Sequence, residues 1–115
     1  MIKAGLIQAE SSVEVAQEVA HARFRRSRDR PTARRAGDLV RHSTHVHAVE
    51  PADLERALDL FERHVRVSMR DAVHAATALN RGIDTVISAD RGFDEFNDLT
   101  RIDPVDKDAL ARLTA

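Results

Sequence analysis

The chain has 115 residues, enough for one small domain, and its 43% apolar residues can form a core. Charged residues make up 32%, and no stretch approaches the ~20 consecutive apolar residues that a membrane-spanning helix needs. There is no cysteine, which excludes disulfides and thiolate metal sites and makes a cytoplasmic location the expectation. The N-terminus lacks the long apolar segment of a signal peptide.

The formal net charge of −1 conceals a strong asymmetry along the chain. Residues 23–41 hold eight arginines against two aspartates, hence a local charge of +6, whereas residues 84–115 hold eight acids against four basic residues, hence −4. A basic segment beside an acidic site suits a nucleic-acid substrate held for metal-assisted cleavage. Two solvated helix faces of opposite sign would give the same pattern, so charge alone leaves both interpretations open.

The first half of the chain is predicted to form a strand, two helices and a second strand. Residues 6–9 are a short strand candidate, and Ser11 with Glu14 fits a capping box at the start of the first helix. Pro31 suits the first turn of the second helix. Residues 44–49 alternate between polar and apolar side chains, which predicts a strand.

The second half is predicted to form two helices, two strands and a short last helix. A repeat of 3.6 residues marks the third helix; its apolar members are Leu54, Ala57, Leu58 and Phe61. Ser68 caps the fourth helix, and Gly82 ends it as a left-handed residue. The apolar run at 83–89 predicts a strand buried on both faces. Residues 99–102 predict an edge strand and 106–113 a last helix.

This order of elements predicts an α/β layer fold with a mainly parallel sheet, formed by residues 1–115 as a single domain. In such sheets, ligands bind outside the carboxyl ends of the strands. Asp90 directly follows the strand predicted at 83–89, so its carboxylate is expected at such an end.

Three acidic residues from separate segments form the candidate site: Glu18, Asp71 and Asp90. Glu18 lies on the apolar side of the first helix, Asp71 lies at the start of the fourth helix, and Asp90 lies past a strand. Carboxylates placed in this way can converge on one hard cation, for which Mg²⁺ or Mn²⁺ is the natural choice.

Each of these acids also has a purely structural interpretation. Glu18 could pair with an arginine instead of a metal ion. Asp71 could complete a capping box with Ser68, and Asp90 could be a turn residue that caps the short segment after it. Asp94 is a possible fourth acid of the site, or a surface residue.

The histidines give a weaker signal. His45 and His47 alternate along a predicted strand and therefore face the same side, a spacing that can bind a transition metal. No third ligand is evident beside them, so they are interpreted as surface or partner-facing residues. His74 lies one turn after Asp71 and could line the same cleft, or be an ordinary helix residue.

Two runs carry a family resemblance, SMRDAVHAATAL at 68–79 and GIDTVISADRGF at 82–93, and SVEVAQEV at 12–19 supports them. Over residues 11–104 the chain resembles the PIN domain, the fold of many ribonuclease toxins of bacterial and archaeal toxin–antitoxin pairs. The resemblance places Glu18, Asp71 and Asp90 on the family's metal-site positions.

The resemblance implies Mg²⁺- or Mn²⁺-dependent hydrolysis of RNA phosphodiester bonds, in which carboxylates hold the ion and the ion activates water. It also implies an RNA substrate, a cognate antitoxin protein as partner, and a homodimer. His74 and Thr77 would be neighbours of the cleft in this arrangement and would take no part in catalysis.

The sequence departs from the family pattern in two places. The family begins with a strand that ends in an aspartate, but no acid precedes Glu10 here, which predicts an N-terminally truncated PIN domain. Gly92 stands where a further acid is common. Both departures predict a weak metal site and a poor nuclease. The alternative is an inactive PIN remnant that binds an antitoxin or itself. A receiver-like regulatory domain would need an acidic cluster after its first strand, and this chain has none.

Overall fold

A computed structural model describes residues 9–113, which contain four short strands, five α-helices and one 3₁₀ helix. The chain divides into two compact units, residues 1–49 and residues 50–115. Most of the strand predicted at 6–9 lies outside the described residues. None of the described helices reaches the length and apolar character that crossing a membrane requires.

The first unit is a parallel strand pair with a helical hairpin. Its elements are β1 (Glu10–Ser12), α1 (Val13–Ser27), α2 (Arg30–Ser43) and β2 (His45–His47). β1 and β2 pair in parallel, with Ser11 opposite Val46, and α1 packs against α2. The two predicted helices and the strand after them are confirmed, although β2 is shorter than the predicted span of 44–49.

The start of α1 differs from the prediction. Ser12 is the N-cap residue, and its Oγ accepts a hydrogen bond of 3.3 Å from the Val15 N–H. Ser11 lies in β1, and its Oγ instead lies 2.6 Å from Thr44 Oγ1 at the start of β2. The predicted capping box of Ser11 and Glu14 is therefore wrong, because β1 continues one residue further than that box allows.

The connection between α1 and α2 is a tight turn. Arg28 has a φ of 56°, the left-handed conformation common after a helix end, and its N–H donates to Phe24 O at 2.8 Å. Asp29 then caps α2, since its Oδ2 accepts from the Thr32 N–H at 3.0 Å. Pro31 lies in the first turn of α2, as predicted.

The second unit contains the remaining helices and strands. They are α3 (Pro51–Arg63), α4 (Met69–Leu79), β3 (Thr85–Ile87), the 3₁₀ helix Arg91–Glu95, β4 (Thr100–Ile102) and α5 (Lys107–Arg112). β3 and β4 pair in parallel, with Val86 opposite Arg101. The predicted α/β class with parallel strands is confirmed. The described strands form two sheets of two strands each.

The core of the second unit is built mainly from alanine and phenylalanine. Ala57 of α3 and Ala72, Ala75 and Ala76 of α4 are fully buried, and small side chains of this kind allow two helices to approach closely. Val67, Phe93, Phe96 and Leu99 belong to the same cluster. The core therefore anchors α4, which carries Asp71, and the 3₁₀ helix, which begins directly after Asp90.

A buried ion pair ties the start of α3 to the end of α4. Asp53 is only 2% exposed, and both of its carboxylate oxygens accept hydrogen bonds of 3.0 Å from Arg81. Asn80 donates a further bond of 2.8 Å to Asp53. The Arg81 guanidinium is the main cause that lowers the pKa of Asp53 to about 2. After this junction Gly82 adopts a φ of 73°, the left-handed conformation that its type predicted.

Some apolar side chains of the second unit face outward. Of the apolar repeat on α3, only Ala57 is buried, while Leu54, Leu58 and Phe61 each remain about half exposed. Ile87 in β3 is 48% exposed, although its segment was predicted to be buried on both faces. Among the described strands, β3 pairs only with β4, which leaves one edge of β3 without a neighbouring strand.

Candidate metal centre

Asp71 and Asp90 are held by backbone geometry at the ends of two different elements. Asp71 lies in the first turn of α4, where its N–H donates to Ser68 Oγ at 3.1 Å. Asp90 caps the 3₁₀ helix, and its Oδ1 accepts a hydrogen bond of 2.8 Å from the Gly92 N–H. The Asp90 N–H in turn donates to Ser88 Oγ at 3.0 Å, which fixes the loop after β3.

The two carboxylates converge on a small volume beside Gly92. A Cβ atom added to Gly92 would lie 2.9 Å from Asp71 Oδ2 and 3.1 Å from Asp90 Oδ1. Both oxygens therefore face the same point, and only a residue without a side chain leaves that point open.

The electrostatics of this pair are asymmetric. Burial is the largest influence on Asp71, and together with the neighbouring Asp90 it raises the pKa of Asp71 to about 6. The pKa of Asp90 is lowered, first by the Gly92 N–H, then by hydrogen bonding with the Asp71 carboxyl group, and less strongly by the positive charge of Arg101. Once Asp71 has lost its proton, two negative charges face each other, so the pair favours a bound cation.

Arg101 supports the loop that carries Asp90. Its Nη1 donates to Ser88 O at 3.0 Å, and its Nε donates to Asp94 Oδ1 at 2.9 Å. The fork thus bridges a residue before Asp90 and a residue after it. Asp94, considered above as a fourth acid of the site, is engaged in this ion pair.

The donor set fits a hard divalent cation. Mg²⁺ is commonly bound by one or two carboxylates together with water and substrate phosphates, and Asp71 and Asp90 supply two carboxylates aimed at one point. Within the described part of the second unit, residues 50–113, no group of three or more acidic or histidine side chains is arranged to hold a metal ion. The pair can therefore supply two carboxylate ligands to a hard divalent cation.

Glu18 belongs to the first unit. It lies on α1, is half-buried, and takes part in an interaction within the protein. The structure thus brings Asp71 and Asp90 together, whereas the participation of Glu18 stays a prediction.

The histidines lie close to their predicted positions. The rings of His45 and His47 meet edge to face with centroids 4.6 Å apart, so they share one side of β2. His47 Nε2 lies 2.7 Å from Glu10 Oε1 on β1. His74 lies on α4, and its charge acts to lower the pKa of Asp71, against the larger effect of burial.

Sequence reasoning did not anticipate the roles of Gly92 and Arg101. Gly92 was interpreted only as the absence of an acid, although its position two residues after Asp90 is typical of a turn in which an aspartate accepts a backbone N–H. Arg101 carries no local signal, because only the register of β4 on β3 brings it to Ser88.

Comparison with known proteins identifies the family. Residues 3–99 match the family model of the PIN domain. The chain is 35% identical over 104 residues to Ribonuclease VapC7 of Mycobacterium tuberculosis, covering 85% of the chain and 68% of that protein. It is 32% identical over 93 residues to VapC ribonuclease Mb1869c of Mycobacterium bovis, covering 80% and 70%.

Solved structures show the same fold. VapBC-1 from nontypeable Haemophilus influenzae matches with a TM-score of 0.67 at 17% identity, covering 84% of this chain and 74% of that one. Mycobacterium tuberculosis VapC20, described as a Sarcin-Ricin loop cleaving toxin, matches with a TM-score of 0.62 at 23% identity, covering 80% and 74%. The α/β fold agrees with this match, and the chain belongs to the PIN domain family.

Proposed function

We propose that this protein is a PIN-type ribonuclease that hydrolyses RNA phosphodiester bonds with the help of Mg²⁺ or Mn²⁺. The observation that carries the proposal is the convergence of Asp71 and Asp90 on one point beside Gly92. The ribonuclease names of the relatives supply the substrate class.

In this proposal Asp71 and Asp90 hold the ion, and Glu18 contributes a third carboxylate. Such an ion lowers the pKa of a bound water and offsets charge on the phosphate. Asp71 has to lose its proton before it can serve as a ligand. Gly92 keeps the shared volume open, and Arg101 fixes the loop on which Asp90 is presented.

The partners follow from the same relatives. Because VapBC-1 pairs a protein of this fold with a second component in one complex, we propose a cognate antitoxin protein as the partner of this chain. A homodimer and a cytoplasmic location complete the proposal. Half-exposed apolar side chains on α3 provide surface for such associations.

The proposal is tested by incubating the purified chain with labelled RNA, with added Mn²⁺ or with EDTA. We expect cleavage that requires Mn²⁺. In Asp71→Asn and Asp90→Asn we expect the cleavage rate to fall at least about 100-fold, because even the loss of a residue that only hydrogen-bonds to a metal ligand can lower activity by that factor. Asp59→Asn is the matched control, because Asp59 is an exposed acid on α3.

Two results would count against this function. Cleavage that persists in EDTA or in Asp90→Asn would point to a contaminating nuclease or to another mechanism. A chain that cleaves no RNA with Mn²⁺, yet binds an antitoxin or itself, would favour the alternative of a protein-binding module.

A further inference from the structure

Seven arginines crowd into residues 23–35, where α1 ends and α2 begins, a segment that we call the arginine hairpin. They are Arg23, Arg25, Arg26, Arg28, Arg30, Arg34 and Arg35. All seven are exposed. The segment contains one acid, Asp29, so its local charge is +6.

The hairpin concentrates these charges in space as well as in sequence. α1 ends at Ser27, α2 begins at Arg30, and the two helices pack against each other. A helix advances about 1.5 Å per residue, so every arginine of the segment lies within about 8 Å of the connection along its helix axis. The Debye length at physiological salt is also about 8 Å, so their potentials reinforce one another.

The single acid offsets only one of the seven positive charges. Asp29 directs its carboxylate back to α2, where Oδ2 accepts from the Thr32 N–H at 3.0 Å and from Thr32 Oγ1 at 2.5 Å. Arg34 forms an exposed ion pair of 3.1 Å with Asp38, a contact of little strength. Arg23, Arg25 and Arg26 extend from the last turns of α1 into solvent.

The hairpin lacks the anchors of a protein-binding surface. Within residues 23–35 no large apolar side chain is exposed. Phe24 is half-buried, and the Arg30 guanidinium lies 5.0 Å from the centre of its ring. Protein interfaces have an apolar or aromatic centre, whereas nucleic-acid interfaces are polar and strongly positive.

We propose that the arginine hairpin binds the phosphate backbone of RNA. Guanidinium groups bind phosphates through two parallel hydrogen bonds, and all seven basic residues of the segment are arginines. The choice of RNA over DNA rests on the proposed ribonuclease function. The hairpin supplies affinity independent of base sequence, and the aspartate pair supplies the chemistry.

The test compares two triple variants of equal charge change. Arg23→Ala/Arg25→Ala/Arg26→Ala alters the hairpin at helical sites that tolerate alanine. Arg63→Ala/Arg66→Ala/Arg112→Ala removes three exposed arginines of the second unit and serves as the control. Binding of a fluorescein-labelled single-stranded RNA is measured in EDTA over a series of salt concentrations, and circular dichroism checks that both variants fold.

Each phosphate contact on a single strand contributes about −0.7 to the slope of log K against log salt, where K is the association constant. The hairpin alanine variant is therefore expected to reduce the magnitude of that slope by about 2. The control is expected to keep the wild-type slope. Arg23→Lys/Arg25→Lys/Arg26→Lys retains the charge and is expected to keep most of the slope. An unchanged slope in the hairpin alanine variant, or equal losses in both alanine variants, would overturn the proposal.

Two further outcomes separate this proposal from its rivals. Loss of binding to poly-glutamate in the hairpin variant, with RNA binding unchanged, would assign the surface to a protein partner and overturn the proposal. Binding is measured in EDTA and therefore does not depend on cleavage. If wild type cleaves no RNA but the hairpin alanine variant shows the expected weaker salt dependence, only the ribonuclease proposal is refuted. If wild type cleaves RNA but the hairpin alanine variant binds RNA like wild type, only the RNA-binding surface is refuted.

Discussion

Asp71 Oδ2 and Asp90 Oδ1 face the same point beside Gly92, but Asp71 is the more buried of the two, whereas the Gly92 N–H donates to Asp90 and stabilises its ionised form. The pKa of Asp71 is raised from 3.8 to about 6, while that of Asp90 is lowered. Asp71 therefore keeps its proton at pH values at which most carboxyl groups are already ionised.

The raised pKa of Asp71 predicts how pH acts on the metal-free protein. A carboxyl group with a higher pKa in the folded state binds more protons when folded, so its contribution to stability falls as pH rises from about 4 to about 7. Asp71→Asn removes the repulsion between the two carboxylates. In EDTA, the difference between the melting temperature of this variant and that of wild type is therefore expected to shift in favour of the variant as pH rises from about 4 to about 7. A difference that does not change with pH would contradict the assignment, and Asp59→Asn gives the baseline.

Gly92 predicts a steric effect on metal binding. In Gly92→Ala the new Cβ would lie 2.9 Å from Asp71 Oδ2, so at least one carboxylate has to move. We expect Mn²⁺ affinity to fall about 10- to 100-fold, the range for disturbed ligand orientation, as measured by isothermal titration calorimetry.

Gly37→Ala is the matched control for that variant. The added Cβ would meet Ala20 Cβ at 3.5 Å, an ordinary contact, in the middle of α2. Replacing a helical glycine with alanine stabilises a helix by about 0.5–1 kcal/mol. We expect a higher melting temperature with unchanged Mn²⁺ affinity. Equal Mn²⁺ affinities of the two alanine variants would show that Gly92 does not border the site.

Arg101 is predicted to act on the metal only through the loop that carries Asp90. Arg101→Ala removes the donors to Ser88 O and Asp94 and is expected to weaken Mn²⁺ binding about 10- to 100-fold. Arg101→Lys keeps the positive charge but lacks the forked guanidinium, so its Mn²⁺ affinity should lie between those of wild type and Arg101→Ala. Equal Mn²⁺ affinities of wild type and Arg101→Ala, with both proteins folded, would contradict this role.

Asp53 is predicted to stabilise the fold without touching the site. Removing one partner of a buried ion pair leaves an uncompensated charge, so Asp53→Ala is expected to lower the free energy of unfolding by about 3 kcal/mol or more. The pKa of Asp53 is lowered from 3.8 to about 2. This stabilisation is therefore fully present above pH 3.8 and is lost as the pH falls through about 2. Urea denaturation measures the loss. A change below about 0.5 kcal/mol, as expected for exposed Asp59→Ala, would contradict it.

Much of the fold was readable from local signals. Pro31, Ser68 and Gly82 each mark a helix end whose chemistry depends on the residue itself, and all three lie where their types predict. The capping box of Ser11 and Glu14 failed because two adjacent serines offer two possible caps. The pairing of β1 with β2 decides between them, and a local pattern does not contain that information.

The candidate site was readable only in part, for a similar reason. Asp71 and Asp90 were found by their places at the start of a helix and past a strand. Their convergence depends on how α4 packs against the 3₁₀ helix, and Arg101 joins them through strand register. The exposure of Ile87 was not foreseen, because an apolar run of strand length does not reveal how many neighbouring strands cover it.

The most direct test of the metal centre is a calorimetric titration of Mn²⁺ into wild type, Asp71→Asn, Asp90→Asn and the control Asp59→Asn, well above the pKa of Asp71. Shared coordination predicts one Mn²⁺ site in wild type and in the control, and the loss of that site when either residue of the pair is changed. Equal Mn²⁺ binding by all four proteins, each shown to be folded, would contradict it.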